Sequence, residues 1–156
     1  MELKTQVKAA DALPEIHIHR TFDLPVHLLY LAYSKAEFIA QWMGNTVVKL
    51  EHQNHGSYVF QKTDNDGNVL FKANGTIHSV KENEEIIRTF EMENVGFPVQ
   101  LEFLTFKSTG PATSELHIKL VFKSVEDRNN QLKMPFAQGL NAAHNQLQNL
   151  MNTFEL

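Results

Sequence analysis

From Asn45 to Lys123 apolar and polar residues alternate with a period of two through six segments: Thr46–His52, Ser57–Lys62, Val69–Val80, Glu85–Met92, Val99–Lys107 and Thr113–Lys123. That period sends neighbouring side chains to opposite faces of a strand, so each segment can bury one face and wet the other. Turn-formers separate the segments: Asn54-His55-Gly56, Asp64-Asn65-Asp66-Gly67, Asn83, Asn94-Val95-Gly96 and Ser108-Thr109-Gly110-Pro111. Connections this short join only antiparallel neighbours, so the block reads as a meander. In the last segment Leu116, Ile118, Leu120 and Phe122 oppose His117, Lys119 and Val121, a core face against a wet one. The Asn74-Gly75 pair marks a bulge or bend inside the longest segment.

The flanks change period. Glu15–Phe22 alternates, with Ile16, Ile18 and Phe22 on one side and His17, His19 and Thr21 on the other, which makes one more strand. Asp23 and Pro25 then signal a helix start. From Val26 to Trp42 the apolar residues fall three and four apart, the helical spacing. The spacing predicts two short helices, the second capped by Ser34 with Glu37 completing a capping box and closed by Gly44. After Lys123 the pattern is helical to the end, with Leu132, Phe136, Leu140, Ala143, Leu147, Leu150, Met151 and Phe154 forming a stripe. Pro135 must kink this helix or open its main part. The run from Pro135 to Phe154 would span about 30 Å, enough to cross a sheet face.

The order is thus strand, two short helices, six strands, long helix, an α+β chain. The sheet has one apolar face, and the only long amphipathic element is the last helix, so burying both lays the helix over the face. A twisted antiparallel sheet of six to seven strands curls, and a helix gripped in its concavity leaves room for a ligand.

Composition narrows the function. The 156 residues suit one core, drawn at 15–156 behind an arm, 1–14, that ends at Pro14. The net charge of −4 disfavours nucleic acid and anionic lipid. Without cysteine there are no disulfides, thiolate nucleophiles or zinc-thiolate sites. The N-terminal stretch lacks the apolar run of a signal peptide, and no apolar run is long enough to span a membrane. A cytoplasmic protein is the expectation, with no cofactor and no metal.

Several motifs in order resemble a known superfamily. Arg20-x-Phe22-x-x-Pro25, then Tyr30-x-Ala32, Ser34, Glu37 and Trp42, resembles the opening of the START-like (SRPBCC) superfamily. Its branch of activator of heat-shock protein 90 ATPase homologues is the better match. His55-Gly56-Ser57-Tyr58 sits where that branch has a Gly-Gly-x-aromatic turn. Phe71-x-x-x-Gly75-x-Ile77-x-x-Val80 resembles its central strand, Gly110-x-x-Thr113-x-x-Leu116 its late hairpin, and Gly139 the glycine of its final helix. The resemblance implies a helix-grip fold with a cavity between long helix and curved sheet, and no shared reaction. Two departures stand out: His55 replaces the first glycine of the turn, and Leu140 stands where the branch commonly has Trp.

The candidate cavity residues are Tyr30 and Trp42 from the short helices, and Phe60, Phe71, Arg88 and Phe103 from the sheet. Met134, Phe136, Leu140 and His144 join them from the C-terminal helix. Arg88 lies in phase with Ile86, Phe90 and Met92; if these point inward it is paired or reaches the cavity, and if Ile87 and Thr89 do, it is solvated. His144, beside Ala143, is either a polar anchor or base at the cavity edge or a surface histidine next to the stripe. His17 with His19, and His52 with His55, could contribute to a metal site only with further ligands, so they read as solvent-facing. Glu51 and Glu102 alternate with core positions and are expected to face water. Phosphate loops, dinucleotide fingerprints and nucleophile elbows are absent from the sequence.

The leading expectation is a non-catalytic protein holding an apolar or amphipathic small molecule. An enzyme of cyclase or isomerase type would need His144 inside the cavity. The resemblance also suggests a chaperone-associated partner module, and the sequence leaves a homodimer open.

Overall fold

The computed structural model describes residues 4–154; residues 1–3 of the expected arm and 155–156 of the expected domain lie outside the described residues. The elements are β1 (Gln6–Lys8), β2 (Glu15–Phe22), α1 (Val26–Ser34), α2 (Ala36–Met43), β3 (Thr46–Leu50), β4 (Ser57–Thr63), β5 (Val69–Lys81), β6 (Glu85–Met92), β7 (Gln100–Gly110), β8 (Thr113–Val121), α3 (Val125–Leu132) and α4 (Phe136–Asn152). The strands form one antiparallel sheet in the order β1-β2-β8-β7-β6-β5-β4-β3. This is the helix-grip arrangement, α+β as expected. The sheet has eight strands rather than six to seven because β1, from the N-terminal segment, pairs along β2 with Val7 opposite Ile18.

Local chemistry explains the elements. Gly44 adopts φ 69° and ends α2 with its N–H on the Ala40 carbonyl, the left-handed C-terminal geometry glycine favours. The expected Ser34 cap does not form. Ser34 is still the last residue of α1, and its hydroxyl donates to the Leu31 carbonyl of its own helix, so Lys35 opens α2 without a side-chain bond. The expected single C-terminal helix is two. Ser124 caps α3 by accepting from the Asp127 N–H at 3.1 Å, and Pro135 sits at the start of α4, where its missing N–H costs nothing. Leu132 consequently leaves the stripe and is exposed.

The register fixes which faces meet. Inward residues are Ile16, Ile18 and Phe22 on β2, Leu104 and Phe106 on β7, and Leu116, Ile118 and Leu120 on β8. With Leu29 and Tyr33 of α1 and Leu147 and Met151 of α4 they form the main core. A smaller cluster of Ile39, Tyr58, Phe60 and Ile77 closes the β3–β5 end.

The bulge expected at Asn74-Gly75 lies further along β5. Asn74 pairs normally with Glu91, and the register slips between Ile77 and Ser79. Gly75 serves close approach instead. The Tyr58 ring crosses it from β4 so that its hydroxyl donates to the Thr89 carbonyl of β6. A Cβ at Gly75 would lie 2.1 Å from Thr89 O and 2.4 Å from the Tyr58 ring. Gly75→Ala is therefore expected to cost about 3 kcal/mol, the upper end for overpacking. Urea denaturation checks it, and a loss under about 0.5 kcal/mol, as at an ordinary surface position, would refute the packing.

Candidate functional site

α4 packs on α1 and α2, and its first turns stand over the sheet without filling the concavity. Between them lies a cavity of about 450 Å³, within the range of small-molecule sites. Phe136, Gly139, Leu140 and Ala143 of α4 form one wall, Trp42 and Met43 of α2 another, and Met134 and Pro135 the segment before α4. The sheet supplies Ile18 from β2, Ile118 and Leu120 from β8, and Phe71, Phe90 and Met92 from β5 and β6. The alternation that packs Leu104 inward one step along each strand leaves these residues facing the gap.

One end of the cavity is polar. β6 and β7 form a hairpin whose register sets Arg88 opposite Glu102. Arg88 Nε donates to Glu102 Oε1 at 2.9 Å, and Gln100 Nε2 donates to Glu102 Oε2 at 2.7 Å. The two charged side chains are only 12% and 10% exposed. A lone buried charge would be untenable, so the pair and its hydrogen bonds are what permit both residues there. The guanidinium also lies 5.2 Å from the centroid of the Tyr58 ring. Burial opposes the charge on Arg88, but Tyr58 and the Glu102 carboxylate outweigh it and hold its pKa above the ordinary value. Tyr33 lines the cavity too, and burial pushes its hydroxyl pKa well up.

Behind this end runs a second polar chain, sealed from solvent. Arg20 Nη1 donates to Thr5 Oγ1 at 3.1 Å, Thr5 Oγ1 meets His144 Nδ1 at 2.8 Å, and His144 Nε2 meets Tyr33 Oη at 3.0 Å. Asn141 Oδ1 accepts from the Thr5 N–H at 3.0 Å. These bonds tie the start of β1 to α4. His144 is 0% exposed; burial, with the charge of Arg20, pushes its pKa down to about 3. It is a neutral core imidazole, neither the surface histidine nor the cavity-edge base of the two sequence alternatives.

The structure brings together six of the ten sequence candidates: Trp42, Phe71, Arg88, Met134, Phe136 and Leu140 line the cavity. Four lie elsewhere. Tyr30 packs edge-on against Phe106, and its hydroxyl meets His52 Nε2 at 2.8 Å. Phe60 belongs to the smaller core cluster. Phe103 falls on the outer face, with Lys119 Nζ 5.8 Å from its ring centroid, because the inward phase of β7 is Gln100, Glu102, Leu104 and Phe106. His144 lies behind Tyr33.

Glu102 is correspondingly a correction: it is buried, not water-facing, whereas Glu51 is exposed. Reasoning from the sequence also missed Gln100 and Tyr33, although a signal was present. A hairpin centred on Val95 places Glu102 directly across from Arg88, and opposite charges at paired positions mark a shared face.

The other histidines are dispersed. His17 Nδ1 and His117 Nε2 lie 3.1 Å apart on the outer face, and His55 packs edge-on to His78. Half-buried His52, held by Tyr30, has its pKa lowered by burial and then by Arg88. Among the described residues no three His, Asp or Glu converge to hold a metal ion, and no helix is long and apolar enough to cross a membrane.

A curved antiparallel sheet, a C-terminal helix laid across its concave face and a hollow beneath the helix together define a START-like (SRPBCC) helix-grip protein. Residues 23–152 match the sequence model of the family described as activator of Hsp90 ATPase homolog 1-like protein, and the chain belongs to that family. Among solved structures it is similar to a protein from Rhodobacter sphaeroides, with TM-score 0.84, 15% identity, and coverage of 96% of this chain and 99% of that one. It is likewise similar to protein Ms6760 from Mycobacterium smegmatis, with TM-score 0.80, 22% identity, and 95% and 97% coverage. A third, from Arthrobacter aurescens, gives TM-score 0.83, 14% identity, and 94% and 91% coverage. At these identities the likeness is one of fold. No match was found among curated proteins. His55, at the first glycine position of the family turn, takes φ 67°, the left-handed region glycine enters without strain.

Proposed function

We propose that the protein binds an apolar or amphipathic small molecule in the cavity under α4 and performs no chemistry on it. The observation that carries this reading is a hollow of about 450 Å³, lined chiefly by apolar side chains, with Arg88, Glu102 and Gln100 grouped at one end and Gln131 of α3 as a further polar lining residue. Affinity would come from desolvated apolar area, and the polar end would set orientation. The ionisable groups in the lining support binding over catalysis. Arg88 and Glu102 hold each other, and burial keeps the Tyr33 proton on its oxygen. His144, the base an isomerase or cyclase would have used, does not line the cavity. A cytoplasmic location remains part of the proposal.

Thermal-shift measurements against lipids, sterols and aromatic polyketides test it. At least one class is expected to raise Tm, and Leu140→Trp, which fills the hollow from α4, is expected to abolish that rise while leaving the unliganded protein folded. No stabilisation by any class would overturn the reading. The family name carries a second reading, a chaperone-associated module; a changed ATPase rate of a heat-shock protein 90 chaperone on adding this protein would favour it instead.

A further inference from the structure

The hydrogen-bond inventory at the polar end of the cavity is one-sided. Both oxygens of Glu102 accept, one from Arg88 Nε and one from Gln100 Nε2. The two Nη groups of Arg88 have no acceptor among the described residues. They are also not sealed: among the described residues the buried side-chain polar atoms left without a partner are Arg20 Nε and Asp127 Oδ2. Arg88 lines the cavity, so its Nη–H groups are donors open to whatever occupies it.

We infer that this end of the cavity selects a neutral hydrogen-bond acceptor, a ketone, ester or similar carbonyl oxygen on an apolar body, over a carboxylate or an amine. The inference rests on the binding function proposed above and names the chemistry of its ligand. The donors are the Arg88 Nη–H groups. Their formal charge is already cancelled by Glu102. A ligand carboxylate would gain the same donors but would sit beside the Glu102 carboxylate, a repulsion that low dielectric magnifies. An ammonium would meet the positive charge of Arg88, and the Glu102 carboxylate is already neutralised by that same charge. A plain hydrocarbon would strip water from the guanidinium and return no bond, which is costly for a charged group.

Three probes of one shape separate these cases: 2-acetylnaphthalene, 2-naphthoate and 2-ethylnaphthalene, each titrated into the full chain by calorimetry at pH 7. The ketone is expected to bind about tenfold or more tighter than the hydrocarbon, the ratio for a hydrogen bond from a charged donor, and tighter than the carboxylate. In Arg88→Met, and in Arg88→Met with Glu102→Gln, which leaves no unpaired charge, the ketone's advantage over the hydrocarbon is expected to vanish. Equal binding of ketone and hydrocarbon by the wild-type chain, or tighter binding of the carboxylate, overturns the anchor while leaving the cavity a binding site. Binding of none of the three, together with no thermal shift from any ligand class, overturns the binding function itself. The wild-type ranking decides the matter even if the variants do not fold.

Discussion

Leu147→Asp is expected to remove about 5 kcal/mol or more of unfolding free energy, enough to leave a domain of ordinary stability largely unfolded at 25 °C. Leu147 is 0% exposed in the middle of α4 and sits in the main core with Ile16, Leu29 and Met151. Shortening such a side chain costs about 2–5 kcal/mol through lost burial and the space left behind. The aspartate adds the cost of taking an ionised carboxylate out of water into an apolar core. Leu147→Met, which nearly conserves volume, is expected to cost under about 1.5 kcal/mol. Guanidinium titration of both variants checks the pair. A loss within about 0.5 kcal/mol for the aspartate would mean that this face of α4 is not buried, and the gripped helix would go with it.

The cavity depends on that burial being uneven. Leu147 and Met151 seal the C-terminal half of α4 into the core, whereas Phe136, Leu140 and Ala143 of its first half are only partly buried and face the hollow. Pro135 contributes by ending the preceding segment, so α4 starts over the sheet instead of continuing α3.

The fold was legible because its signals are periodic. A strand keeps its period of two whatever its neighbours do, and each expected strand from Glu15 onward ends within three residues of the observed one. β1 escaped because three residues, Gln6–Lys8, are too few to show a period. The site was legible in part. Phe71 and Leu140 follow from phase alone, but β7 carries apolar residues on both faces, Leu101 and Phe103 as well as Leu104 and Phe106. Phase does not choose between them, and the inward position falls to Glu102 in place of the expected Phe103. The choice is made by pairing across the hairpin, where Arg88 needs a counter-charge. His144 was hidden for a related reason: its partners Thr5 and Tyr33 are 139 and 111 residues away, and no spacing rule connects them.

His144 also makes the protein sensitive to mild acid. Its pKa in the folded state, about 3, lies below the ordinary 6.5 that it regains on unfolding. Between those values the unfolded chain holds a proton that the folded chain does not, so stability rises with pH there and is lost as pH falls from 6.5 toward 3. At 1.36 kcal/mol per unit, the loss from this residue is about 2 kcal/mol between pH 7 and pH 5, and approaches about 5 kcal/mol at the acid limit. His52 and His117, also lowered chiefly by burial, act in the same direction. The lowered carboxylates Glu15, Glu51 and Asp64 start from ordinary values of 4.5, 4.5 and 3.8 and weigh on stability mainly below this window. Urea denaturation of the wild type and of His144→Gln at pH 7 and pH 5 isolates the histidine. The glutamine can bond at the site and has no proton to gain, so its stability is expected to fall by about 2 kcal/mol less than that of the wild type over the same interval. Equal losses in the two proteins would show that His144 takes up its proton without opening the core. So would an imidazole resonance of His144 that titrates near 6.5 in the folded protein. Either result would dismantle the Thr5–His144–Tyr33 chain that ties the first strand to the last helix.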